Sequence, residues 1–228
     1  MNVPATIDSL VHYATKDLRV GILLIVLGGG LSLWLIDRLL SLGLRRVPLD
    51  ERERGWLALA APYFQIQGFA ERELGGKTFF GLWRLRLLLR KDWGITDEAS
   101  ARARLDGLLQ HGHRSDPHYR DPDQPAADLA IVDRALLAWD GMRLVFIARC
   151  CFAVGFLDVE TTWRYVVAAV RLVRERYSSW EEWGRSFATG RAIWSGDANS
   201  YYTEKVEELL RQAKSPWRRI AWHEATRA

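Results

Sequence analysis

The chain has 228 residues, 49% of them hydrophobic and 26% charged, which is enough for one substantial core and too short for two full domains. Its net charge of +4 splits into +2 on residues 1–46 and +2 on the remainder, so the body lacks the concentrated basic patch on which nucleic-acid binding runs. The only cysteines, Cys150 and Cys151, are neighbours in the apolar stretch FIARCCFAVGF, which excludes a disulfide framework and fits buried thiols in a reducing compartment.

A short segment, 1–18, precedes the first element. Residues 20–36, VGILLIVLGGGLSLWLI, carry no charge over a length that meets the lower limit of about 17 to 25 for a bilayer span. Glycines at 28–30 would weaken a water-exposed helix but are tolerated in lipid, and Trp34 stands near the boundary where aromatic belts form. This predicts a transmembrane helix with a basic flank over 19–46, a buried first helix of the body being the alternative. Lys16 and Arg19 precede the segment, whereas Arg38, Arg45, Arg46, Arg52 and Arg54 follow it. The positive-inside bias then puts the N-terminus out and the body in the cytoplasm.

The body, 47–214, reads as helices in series. Glu51 to Glu73 forms one or two helices broken near Pro62 and ended by Gly75-Gly76. Thr78 to Lys91 follows, and Arg84, Arg86, Arg90 and Lys91 gather toward its C-terminus as a solvated face or a contact for lipid headgroups. Thr96 is placed as the N-cap of a helix running to Gln110. The polar run HGHRSDPHYRDPDQP is a loop, Ala126 to Phe156 a long central helix, and Asp158 the cap of a helix ending at Tyr177. Ser179 with Glu182 is read as a capping box for a helix to Trp194, and Asn199 or Ser200 opens a last helix before Pro216. The tail, 215–228, is basic and reads as frayed or as lying at a membrane surface. With no period-two alternation anywhere, the expected fold class is all-α: a compact multi-helix domain behind one N-terminal transmembrane helix.

Six short motifs occur in order: WGI at 93–95, GHR at 112–114, AWDGMR at 138–143, GFLDVE at 155–160, SWEEW at 179–183 and GRAIW at 190–194. In this the chain resembles the bacterial DUF1266 family over roughly residues 65–196. The resemblance implies an α-helical domain of bacterial origin and supplies no catalytic residues; the inner-membrane placement rests on residues 20–36, which lie outside it.

Chemistry-bearing candidates are few. His111, His113, His118 and Asp116 share a loop, but their spacing matches no stringent metal template, and neither metal nor cofactor is expected. Asp140 and Arg143 lie i, i+3 on the most apolar helix, where a pair must be hydrogen-bonded or face a cleft. With His113, Arg114 and Arg191 they make a candidate polar site. Trp139, Trp163, Trp180, Trp183 and Trp194 pack the core or line an aromatic groove. No nucleophile elbow, phosphate loop or dinucleotide fingerprint is present. The leading expectation is a membrane-anchored module that binds a protein partner, an immunity or accessory role being one version. The alternative is a hydrolase or transferase acting on an anionic substrate through Asp140, His113 and the arginines.

Overall fold

The computed structural model describes residues 30–119, 125–197 and 200–227. Among these there is no strand, only an isolated bridge between Pro48 and Glu73. The all-helical fold class therefore holds.

The chain divides into two units, Met1–Leu44 with Thr78–Phe80, and Arg45–Lys77 with Gly81–Ala228. In the first, residues 30–40 form helix α1, on which Leu31, Leu33, Trp34 and Leu39 are each more than half exposed. The Ser41 hydroxyl and the Asp37 carboxylate accept from the amides of Phe79 and Phe80, each at 2.9 Å. Among the described residues no helix is long and apolar enough to cross a membrane. Residues 20–29 of the expected span lie outside the described residues.

The second unit contains α2 (Glu51–Ala58), α3 (Ala61–Gln67), most of α4 (Phe79–Trp93), α5 (Glu98–Gln110) and α6 (Ala126–Val154). It continues with α7 (Val159–Arg174), α8 (Trp180–Ser195), α9 (Ser200–Arg211), α10 (Pro216–Arg219) and α11 (Trp222–Ala225). Side-chain oxygens start several of them. Asp50 accepts from the Glu53 amide and Asp158 from the Thr161 amide, which satisfies N–H groups that have no partner inside the helix. Three boundaries differ from expectation. Asp97, not Thr96, caps α5, because its carboxylate reaches the Ser100 amide at 2.8 Å and the Ser100 hydroxyl returns the bond. The break before α3 falls at Leu59–Ala60, and Pro62 sits in the first turn of α3, where its missing N–H costs nothing. Ser179 caps α8, but Glu182 turns to the amide and hydroxyl of Ser178 instead of closing a box.

Helix α6 is the axis. Every residue from Ala135 to Val154 is buried, and α5, α7 and α8 pack around it. A helix apolar on all faces requires such an all-round jacket. Helix α8 approaches closest at Gly190, where a Cβ would overlap the carbonyl of Ala135. Cys150 and Cys151 lie inside this jacket, where burial pushes the first thiol well up and the second to about 12, leaving both inert. All four residues of the α4 basic cluster are exposed, and Arg86 donates to the Val154 carbonyl at the end of α6.

The tail is neither frayed nor free to lie on a membrane. Trp217 and Trp222 are 4% and 8% exposed, and their indoles donate to the carbonyls of Ala58 and Tyr177. In return Trp180 donates to Ile220 and Trp56 to Arg227, while Trp180 stacks on Trp217 with centroids 5.4 Å apart. Each indole thus buries its rings and spends its one donor on backbone, which fastens the tail to α2 and α8.

Candidate functional site

The loop after α5 is shaped around one carboxylate. Gly112 takes φ +59° and ψ −169°, a combination open essentially to glycine, and a Cβ there would overlap the Asp140 carboxylate. This turn aims two successive amides at α6. Asp140 Oδ1 accepts from the His113 amide (3.0 Å) and from Arg143 Nη2 (2.6 Å). Oδ2 accepts from the Arg114 amide (3.1 Å) and from Arg114 Nη1 (3.3 Å). The Asp140 side chain has no exposed surface. Burial alone would raise its carboxyl, but the His113 ring, the Arg143 guanidinium and the two amides outweigh that and hold it below the ordinary carboxylate range. Gly112→Ala is expected to cost at least about 1–3 kcal/mol in a urea titration, from backbone strain and displacement of the carboxylate.

His113 links this network to α8. The Trp194 indole donates to His113 Nε2 at 3.0 Å, while Nδ1 stands between Asp140 Oδ1 at 3.2 Å and Arg143 Nη2 at 2.6 Å. Arg114 spends its remaining reach on the carbonyls of Leu108 and Leu109, which ends α5.

On the other side of Arg143 opens a cleft of about 390 Å³, within the range of small-ligand sites. Trp139, Trp194, Tyr202, Arg143 and Arg191 are among its walls. The Arg191 guanidinium lies over three rings, 5.6 Å from the centroid of Trp139, 4.9 Å from Trp194 and 5.7 Å from Tyr202. Two donors of these walls, Trp139 Nε1 and Arg191 Nη1, are buried and find no hydrogen-bond partner among the described residues.

The five candidate polar residues therefore converge in two layers: His113, Arg114, Asp140 and Arg143 form the locked network, and Arg191 faces the cleft with Arg143 and His113. The five tryptophans do not form one groove. Trp139 and Trp194 belong to the cleft; Trp180 and Trp183 are buried, Trp183 donating to the Leu59 carbonyl; Trp163 is half-buried, edge-on to Trp56 at 5.7 Å. His111 and His118 are exposed, and among the described residues no cluster of histidine, cysteine or carboxylate side chains is placed to hold a metal ion. Tyr202 and Arg104 join the cleft without any local sequence signal, and Trp93 with none beyond its place in the WGI motif. Arg149 had one: a lone arginine inside FIARCCF, with no acid at helical spacing, must satisfy its donors elsewhere. It is 2% exposed and donates to the carbonyls of Ala70, Glu73 and Leu74.

This arrangement rests mainly on α6, α8 and α9. Residues 124–222 match the family model DUF1266, a protein of unknown function. Nothing among the curated proteins or the solved structures matches the chain. The DUF1266 match starts later and ends later than the resemblance read from motifs, taking in α9 and α10 and leaving WGI and GHR outside it. Asp140, Arg143 and Arg191 lie within the DUF1266 region, whereas the loop that locks Asp140 does not.

Proposed function

We propose that the chain is a binding module, tethered to the bacterial inner membrane by residues 20–36, that receives part of a protein partner in the cleft beside α8. The observation that carries this reading is the division of labour around Arg143. The acid that would serve as general base is sealed, with both oxygens occupied by N–H donors, while the open side presents donors and flat rings. With both Asp140 oxygens occupied, the cleft offers contacts for a ligand but not this carboxylate as a base, which weighs against a hydrolase or transferase working through Asp140. The exposed leucines of α1 support a lipid environment for the segment they continue, and the flanking arginines support a cytoplasmic body.

Photo-crosslinking tests the reading in the full chain in bacterial membranes. A benzophenone side chain at Trp194, on the cleft rim, is expected to give a discrete adduct with a partner, and one at Glu175, exposed just past α7 and no part of the cleft lining, to give none. Equal labelling from both positions, or none from Trp194, would overturn it. Extraction of the chain from membranes by alkaline carbonate would remove the tether from the proposal.

A further inference from the structure

The cleft's charge and donors narrow what it accepts. Arg143 is neutralised by Asp140 directly behind it. The other charged walls are Arg191, Asp92 and Arg104, whose Nε donates to the Trp93 carbonyl, so the cleft nets one positive charge. Arg191 has no carboxylate within ion-pair distance among the described residues. Its guanidinium is held by the ring faces of Trp139, Trp194 and Tyr202, which satisfy its charge in part but none of its N–H groups. Leaving a buried donor without an acceptor costs about 1–3 kcal/mol, and two such donors occupy adjacent side chains of this one wall.

We infer that the cleft is a receptor for a single carboxylate borne on a flat or apolar body, with Arg191 Nη1 and Trp139 Nε1 donating to the carboxylate. One free positive charge matches a monoanion, and two donors match the two oxygens of a carboxylate. Trp194 and Tyr202 supply the walls for the apolar part. Arg143 and His113 are positioning residues: Asp140 and Trp194 hold them, and they line the cleft without having a free donor assigned to the ligand. This inference rests on the binding-module reading and names the chemistry of what that module takes. A free small acid and the C-terminus of a polypeptide offer the same group.

The test titrates the full chain in detergent by calorimetry with 3-phenylpropionate, its amide, and a tripeptide ending in phenylalanine with a free carboxylate. The acid is expected to bind, its amide to bind about 10- to 100-fold more weakly, and Arg191→Gln to weaken the acid by a similar factor. Arg191→Lys should retain part of the affinity, and the unfolding midpoint of each variant separates lost binding from lost structure. The acid and amide comparison is made on the unaltered chain, so it does not depend on any variant folding. Equal binding of acid and amide, no binding of the acid at 10-fold above about 1 mM, or unchanged binding in folded Arg191→Gln would overturn the inference. A tripeptide tighter than the small acid assigns the carboxylate to a polypeptide terminus; a weaker one assigns it to a free acid. If the Trp194 cross-link forms but carboxylates show no preference, this inference falls and the module stands. If carboxylates bind but no cross-link forms, the partner reading falls instead.

Discussion

Asp140→Ala is expected to lower the unfolding free energy by about 3–5 kcal/mol, the range for removing one partner of a buried ion pair. The acid is 1% exposed and Arg143 3%, so alanine would leave a guanidinium in the core with no counter-charge. It would also strand the amides of His113 and Arg114, which the turn at Gly112 aims at nothing else. Urea titration of the full chain measures the loss. The double variant Asp140→Ala with Arg143→Met should recover part of it, because removing both charges removes the uncompensated one. The pH dependence follows from the depressed carboxyl. Asp140 gives up its proton more readily in the folded chain than in the unfolded one, so its contribution is complete above the unfolded value of about 3.9 and is lost as the pH falls through the folded value. The stability gap between the unaltered chain and Asp140→Ala should therefore narrow below about pH 4.

Arg149→Met is expected to cost about 3 kcal/mol, through backbone rather than charge. Arg149 Nε donates to the Leu74 carbonyl at 2.9 Å, and Nη2 to those of Ala70 and Glu73 at 2.5 Å. Its Cζ lies 4.4 Å from the ring centroids of both Phe64 and Phe69. Burial lowers its pKa to about 9, which still leaves it cationic at neutral pH, and the carbonyls and ring faces stand in for a carboxylate. Methionine fills the same stem volume but leaves three carbonyls without a donor, each worth about 1–3 kcal/mol when buried and less where water reaches the loop. Arg149→Lys should recover part of the loss. Amide exchange along residues 68–77 should rise in Arg149→Met and stay unchanged in Asp140→Ala, since the two networks share no residue.

The helices were legible because each declares itself locally. Asp158 and Ser179 cap with their own side chains, Gly155 closes α6 at φ +87°, and α7 and α9 show one apolar stripe each. The capping of α5 was misplaced by one residue because Thr96 and Asp97 are both competent caps, and only the chain direction decides which oxygen faces the Ser100 amide. The tail was misread for a different reason. Tryptophans among arginines suit a membrane surface as well as a groove in the body, and nothing in SPWRRIAWHEATRA states that the carbonyls of Ala58 and Tyr177 await them.

The pairing of Asp140 with Arg143 is a property of helical spacing and was readable from residues 138–143 alone, as was the need to satisfy a pair placed in so apolar a helix. How the pair is satisfied was not readable. The amides of His113 and Arg114 come from a loop 27 and 26 residues away, and Trp194 reaches His113 from 81 residues away. Composition and periodicity are local quantities, so they determined an all-helical body, a near-neutral surface and a short roster of charged residues inside it. Only the tertiary structure, with the loop at His113–Ser115 closing on α6 and α8 packing beside it, decided which of these charges were sealed and that Arg191 was left facing an aromatic cleft.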